Sequence, residues 1–444
     1  MTLKQFLTTL WGRLQQEEIP YCILRNHDGL PEHNPGRDID MLVQYEDLPR
    51  ILTVIGDIDG IAVTGLLRRS YVCSLYIHGI LWGDGLLAIE IDMVTGLAWK
   101  GQPYLDAGDV LARRRSPPSR PSGLLVPAPL DEAIISLFSY YLATGEIRQK
   151  YWPDVRAVLT RHDKAAIATL SRTVGTRLAE DIVDAVISDS PTRILDLRPR
   201  VLRTLLARAL YRTPIMAMTG IAAHYAAELR IRFTLTHVTL VCILGPDGAG
   251  KSSVIQSLRP SLRNLVGEIE IRHLKPIILL RRRTRPPVPT TSVDAHAAPL
   301  RGSIGSVVKL LAWMVELWLE IVITPRRVPT LKIYDRYLHD ILVDPARYRY
   351  GAPRWIARAI SALVVEPDLF VILDAPADVI QRRKQEVPFV ETKRQRDAYR
   401  GEIGVRDNAV IVDAARPVAA VANDVLAAIV AALNERVKRD HGVA

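Results

Sequence analysis

One stretch constrains the fold of this chain more than any other: the apolar run Val238-Thr239-Leu240-Val241-Cys242-Ile243-Leu244, followed at once by Gly245-Pro246-Asp247-Gly248-Ala249-Gly250-Lys251-Ser252-Ser253 and a helical pattern. The second piece fits GxxxxGK[ST] without mismatch, and the strand before it and helix after it supply the context that gives the pattern meaning. Glycines at 245, 248 and 250 let backbone N–H groups turn inward, and the positive end of the helix points at the same place. The expectation is a phosphate cradle formed by Gly245, Asp247, Gly248, Ala249, Gly250, Lys251, Ser252 and Ser253. Lys251 reaches the β and γ phosphates, and the Ser252 hydroxyl ligates Mg²⁺.

Two further apolar runs end in aspartate, Leu331 to Tyr334 before Asp335 and Leu369 to Leu373 before Asp374, with helical patterns between them. Strands alternating with helices predict a parallel sheet covered on both faces. In such a sheet the carboxyl ends of the strands line the ligand crevice, which places Asp335 and Arg336 beside the phosphates. Asp335 then serves as metal ligand or base, and Arg336 offers a planar fork for phosphate. Arg382 and Arg383, on the helix after Asp374, are placed to deliver positive charge from a lid. A second basic set follows at Lys393, Arg394, Arg396 and Arg400.

GPDGAGKS, YDRY, PDLFVILDAP, RRKQE and ETKRQRDAYR together resemble the thymidylate kinase-like branch of the phosphate-loop kinases, over about residues 238 to 436. The resemblance implies ATP with Mg²⁺ as phosphoryl donor, Arg336 on the acceptor or transferred phosphate, and a lid supplied by Arg382 and Arg383. An Arg-Glu-Pro-Gly-Gly-like segment, which helps bind the nucleoside monophosphate in true thymidylate kinases, does not occur; the corresponding stretch is Ile271-Arg272-His273-Leu274-Lys275-Pro276, before a basic loop from Arg281 to Thr291. The run from Asp335-Arg336-Tyr337-Leu338-His339-Asp340 to Asp344-Pro345-Ala346-Arg347-Tyr348-Arg349-Tyr350-Gly351 resembles a divergent group of such kinases found beside bacterial polysaccharide biosynthesis enzymes. The expected activity is ATP-dependent phosphoryl transfer to a small acceptor, a nucleoside monophosphate such as dTMP. The alternatives are a kinase for a sugar or polyol intermediate of surface polysaccharide synthesis, and a non-catalytic ATP-binding regulator.

Nearer the start, Gly36-Arg37-Asp38-Ile39-Asp40-Met41-Leu42-Val43 puts two carboxylates on one face of a strand, and Leu87-Ala88-Ile89-Glu90-Ile91-Asp92-Met93-Val94 alternates in the same way. A neighbouring strand of this kind brings Asp92, or Glu90, alongside the pair, and three carboxylates in oxygen-rich geometry suit Mg²⁺. The pattern resembles the nucleotidyltransferase superfamily over roughly residues 1 to 125, and the resemblance makes Asp38, Asp40 and Asp92 the metal-holding positions. Where that superfamily has a Gly-Ser turn, this chain reads Leu24-Arg25-Asn26-His27-Asp28-Gly29. Arg25, His27 and Arg37 are candidate phosphate contacts. Trp82, Trp99 and Trp152 read as core or interface.

The expected architecture is α/β throughout: a nucleotidyltransferase-like domain over 1–125, a helical connector over 126–235 whose apolar spacing is near three and four, and a phosphate-loop kinase domain over 236–444. The run from Arg113 to Pro118 reads as a surface segment or linker. With 444 residues, 48% of them apolar, there is ample material for several cores. The formal charge of +10 suits small phosphorylated compounds, and it is too diffuse to imply nucleic acid. Three cysteines without CxxC spacing argue for a reducing, cytoplasmic setting. The apolar stretches Val201 to His237 and Ser303 to Thr324 carry charges, so no bilayer span is expected, though weak membrane-surface contact and a homodimer stay open.

Overall fold

A computed structural model describes residues 1–34, 38–79, 88–118, 123–234, 237–262, 265–273, 300–323, 328–385 and 387–441. Arg37, Trp82, the basic loop 281–291 and positions 274–276 lie outside them. The structure is mixed α/β, with a parallel sheet flanked by helices. The chain divides into two compact units, Met1–Ile231 and Arg232–His441.

The strands are β1 (Tyr21–Ile23), β2 (Asp38–Val43), β3 (Ile61–Arg68), β4 (Val72–Gly79), β5 (Ala88–Val94), β6 (Leu97–Trp99), β7 (Gln102–Leu105), β8 (Val238–Leu244), β9 (Glu268–His273), β10 (Thr330–Asp335), β11 (Leu369–Asp374) and β12 (Ala409–Asp413). The first unit holds a five-stranded sheet in the order β1-β2-β5-β4-β3. β2 and β5 run parallel, with Asp38 opposite Glu90 and Asp40 opposite Asp92, while the other pairs are antiparallel. β5 alternates buried and half-buried residues, as its sequence pattern predicts for a strand with one apolar face.

Helices from Pro129–Ala143 to Pro214–Phe233 follow. They share a core with the five-stranded sheet and the β6-β7 pair: Cys22 and Leu42 of the first and Leu97 and Tyr104 of the second pack with Ile134, Phe138, Tyr141 and Leu159. The Arg113 to Pro118 run is tied into the same unit, since Arg113 pairs with Asp131 and Arg115 bridges to Val126.

In the second unit five parallel strands take the order β12-β11-β8-β10-β9. β8 is buried along its whole length, as an all-apolar central strand of a two-faced sheet must be. The chain leaves β8 toward β9 and β10 on one side and later reaches β11 and β12 on the other, so the carboxyl end of β8 sits at the point where strand order reverses. One face carries Leu240, Cys242, Leu244 and Phe370 against Trp313 and Leu317 of helix Ser303–Trp318 and Ala357 of helix Arg354–Ser361.

Helix Val418–His441 packs on helix Lys251–Leu262 and on β8, β11 and β12. By length and composition Val418–His441 is long and apolar enough to cross a membrane, an 18-residue window within it having a mean hydropathy of 1.5. Its apolar stripe, Val421, Val425, Leu426, Ile429 and Leu433, is buried in this unit.

Candidate functional site

The loop from Gly245 to Gly250 joins β8 to helix Lys251–Leu262 at the reversal point of the sheet. Gly245 has φ +146, and a Cβ there would stand 2.6 Å from the Leu373 carbonyl of β11, so the close approach of loop to strand requires glycine. Gly250 meets no obstacle, and its φ of +95 is what favours glycine. A cleft of about 750 Å³ opens on this loop, lined by Asp247, Lys251, Ser252, His273, Asp335, Arg336, Arg347 and Arg383 among others. The carboxyl ends of β8, β9 and β10 therefore deliver their side chains to one place.

Lys251 is buried, and its Nζ donates to the Gly245 carbonyl at 2.7 Å and the Pro246 carbonyl at 2.9 Å. Asp247 Oδ1 lies 3.8 Å away. Burial, and then the neighbouring Arg336, lower the Lys251 ammonium to about 8, while Asp247, Asp335 and Asp340 work in the other direction. Asp247 takes ion pairs from both Arg336 and Arg347.

Behind these groups stands Asp340, fully buried. Its carboxylate accepts from Arg336 Nη1 at 3.1 Å, Tyr348 Oη at 3.2 Å and Tyr399 Oη at 2.9 Å. Burial, the largest single influence, opposes the charge on Arg336, but Asp340, Tyr399, Tyr348 and Asp247 together outweigh it, and the guanidinium is held protonated. Arg336 also has a φ of 78, a left-handed conformation that a non-glycine residue adopts at a cost on the order of 1–2 kcal/mol. The network of Asp340 with the two tyrosines over-determines this geometry.

Asp335 closes β10 and is buried. Its Oδ2 lies 2.9 Å from Nδ1 of His273, the last residue of β9, whereas its Oδ1 is buried with no hydrogen-bond partner among the described residues. An orphaned carboxylate oxygen in the cleft that the exposed Ser252 also lines fits a divalent cation held by Asp335 and Ser252.

The two arginines expected to form a lid differ. Arg383 lines the cleft and donates to the Ala414 carbonyl at 2.7 Å. Arg382 is exposed and pairs with Asp378 one turn back on its own helix, away from the cleft-lining residues. From the later basic set, Arg396 makes a bidentate pair with Asp374 at 2.6 and 3.1 Å, and Arg400 joins at 2.8 Å. Asp247 was expected only as a member of the cradle, and Asp340, Arg347, Tyr348 and Tyr399 carried no assigned role. For Asp340, Arg347 and Tyr348 the signal is the i, i+4 spacing of Arg336 and Asp340 and the density of Tyr and Arg just after them, while Tyr399 has none nearby.

In the first unit the structure brings Asp38, Asp40 and Asp92 together, with ligand oxygens within 4.8 Å of one another. The parallel register of β2 and β5 does this. Asp92 accepts from the Ser74 hydroxyl. Burial pushes its carboxyl up to about 6, the Ser74 bond pulls it down, and Glu90, Asp40 and Asp38 add to the rise. Asp40 is buried and bidentate with Arg25, Nε to Oδ2 at 2.7 Å and Nη2 to Oδ1 at 3.1 Å. Arg25 in turn lies 4.8 Å from the centroid of the Tyr140 ring. Arg25, expected as a phosphate contact, is thus a partner of the acidic set, and His27 Nε2 stands 2.9 Å from Glu132. A pocket of about 400 Å³ adjoins the set and includes Asp40, Asp92 and Trp99 in its wall. No protein-family model matches the chain, and no curated protein matches it.

Proposed function

We propose that the unit Arg232–His441 is an ATP-dependent phosphotransferase of the thymidylate kinase-like kind, acting on a small acceptor such as a nucleoside monophosphate. One observation carries the reading: a glycine-rich loop at the reversal point of a parallel sheet shares its cleft with Lys251, Asp335, Arg336 and Arg347. Phosphoryl transfer needs little covalent chemistry from the protein, so positioning and charge neutralisation provide most of the catalysis.

The ammonium of Lys251 exchanges the carbonyls of Gly245 and Pro246 for β and γ phosphate oxygens. Arg336, gripped from behind by Asp340, turns its fork from Asp247 to the transferring group, and Arg347 is released from the same aspartate. Asp335 and Ser252 are the residues that would hold Mg²⁺, which when bound neutralises phosphate charge. The other oxygen of Asp335, beside His273, would accept from the hydroxyl of a sugar or polyol acceptor, whereas a nucleoside monophosphate attacks through a phosphate oxygen that Arg336 and Arg347 would meet. A second reading, a sugar or polyol acceptor, is favoured by the stretch from Ile271 to Pro276 in place of the nucleoside-binding segment of true thymidylate kinases.

For the unit Met1–Ile231 the triad Asp38, Asp40 and Asp92 supports a nucleotidyltransferase-like, nucleotide-binding site. The test of the main reading is transfer of label from γ-labelled ATP with Mg²⁺ to dTMP, other nucleoside monophosphates, and sugar and polyol phosphates. Label on dTMP is the expected result, label on a sugar or polyol alone selects the second acceptor, and unchanged turnover in Lys251→Ala removes the kinase assignment.

A further inference from the structure

Of the twenty residues of helix Pro214–Phe233, Ala217 and Ile231 are buried. Its inward face is held by small residues and polar contacts. The Gln102 side-chain amide donates to the Ala217 carbonyl at 3.1 Å, and His224 Nδ1 stands 2.9 Å from the Ser70 hydroxyl. Gly220 backs onto Gly101 so closely that a Cβ on it would stand 2.9 Å from the Gly101 carbonyl oxygen. The outward face is apolar. Ile215, Met218, Ala222, Ala226 and Leu229 recur at spacings of three and four, which puts them along one side. Ile215, Met218 and Leu229 are 77%, 64% and 60% exposed, and Met216 and Tyr211 beside them are exposed as well. A folded chain that keeps a contiguous apolar face of this kind in solvent keeps it for something to cover.

The charge around the face says what covers it. Between Asp196 and Glu228 the chain carries five arginines, Arg198, Arg200, Arg203, Arg208 and Arg212, and no acidic residue. Arg212, just before the helix, is exposed and donates to the Arg172 carbonyl at 3.2 Å, and Arg230 is exposed on the helix itself. Among the described residues neither pairs with a carboxylate. A second copy of the chain would bring the same one-signed charge to the contact, whereas an anionic lipid surface complements it. The uncharged run from Thr213 to Ala227 is shorter than the roughly 20 residues of a bilayer span, so the helix suits the plane of the interface and not a crossing. Tyr211 adds an aromatic ring of the kind that settles at headgroup level, and the methionines adapt to irregular apolar surroundings.

We propose that the outward face of helix Pro214–Phe233 docks on an anionic lipid surface. Ile215, Met218 and Leu229 enter the boundary between headgroups and acyl chains, while Arg212 and Arg230 meet lipid phosphates. The test is co-sedimentation of the full chain with vesicles of phosphatidylcholine alone, and of phosphatidylcholine with about one-third phosphatidylglycerol. The parent is expected to bind the anionic vesicles at least about tenfold more tightly than the neutral ones, and to lose most of that difference at high salt. Met218→Glu with Leu229→Glu, both at exposed positions, is expected to weaken binding at least about tenfold, and Met218→Leu with Leu229→Met to bind as the parent does. Arg212→Gln with Arg230→Gln, which leaves the apolar face intact, is expected to weaken binding to the anionic vesicles about three- to tenfold. Thermal unfolding of each variant separates lost docking from a lost fold. A parent that ignores anionic vesicles, or binds both kinds equally, overturns the proposal, and so does binding that survives the glutamate pair. A parent that is dimeric in analytical ultracentrifugation without lipid, and monomeric with the glutamate pair, assigns the face to a second copy and overturns it as well.

Discussion

The acidic set in the first unit and the cleft in the second solve opposite electrostatic problems with the same two residue types. Around Asp92 the surplus is negative, and one arginine on Asp40 offsets part of it. Around Lys251 the surplus is positive: Lys251, Lys384 and the three arginines Arg336, Arg347 and Arg383 line one cleft, and Asp247 offsets part of that. In each region counter-ions built into the chain moderate the charge, Arg25 in the first and Asp247, Asp335 and Asp340 in the second. The first unit is left attractive to cations and the second to anions. The counter-ions also differ in how firmly they are held, since Asp40 and Arg25 pair one to one, whereas Asp247 is shared by two arginines with Lys251 nearby and is the more readily displaced.

The largest expected effect separates the two regions outright. Lys251→Ala should reduce phosphoryl transfer by at least a hundredfold, the scale of losing one donor aimed at transition-state charge, while Mn²⁺ binding in the first unit stays as in the parent. Equal damage to both would break the comparison.

Acid should then distinguish the second unit. His339 is buried between Tyr337 and Phe370, and burial, then Arg406, lowers its pKa from 6.5 to about 4. A histidine kept neutral when folded but protonated when unfolded contributes its full stability above pH 6.5 and loses it as pH falls toward 4. Over that window the loss should approach about 3 kcal/mol, visible in denaturant titrations of the full chain, and His339→Phe should remove this pH dependence. An unchanged pH profile in the variant would place the acid sensitivity elsewhere.

Smaller but more specific is Asp340→Asn, which keeps the shape and gives up the charge behind Arg336. It should lower kcat by about ten- to a hundredfold with a smaller change in KM for ATP, because a misdirected fork matters most in the transition state. A KM effect larger than the kcat effect would make Asp340 a structural group only. At the small end, Arg382→Ala should leave transfer within about twofold, as expected for an exposed pair. Arg383→Ala should reduce transfer more than Arg382→Ala does, and equal effects in kinetic assays would undo the distinction drawn between them.

What could be read from the sequence is what depends on neighbours in the chain. The loop 245–250 is a local object, a strand end, three glycines and a helix start, so its residues and their convergence are written within about a dozen positions. β10 and β11 announce themselves as apolar runs ending in aspartate, and the alternation in β2 and β5 puts Asp38 with Asp40 on one face of the first and Asp92 with Glu90 on one face of the second, the resemblance then choosing Asp92. β9 and β12 are less legible because they are edge strands with half-exposed or exposed residues, including Val410 and Ile411. The grip of Asp340 on Arg336 depends on Tyr399, 59 residues away, and the pairing of Asp247 with Arg347 spans 100. Nothing in local spacing encodes such distances. The two lid arginines show the same limit, for adjacent residues on one helix point to different surroundings.

The left-handed backbone at Arg336 has one further consequence. Glycine would take that conformation without strain, but it would leave the buried carboxylate of Asp340 without its cation, a cost of about 3–5 kcal/mol that outweighs the strain relieved. The strained turn and the buried carboxylate thus lock each other in place, and position 336 is held to arginine by the fold as well as by the cleft.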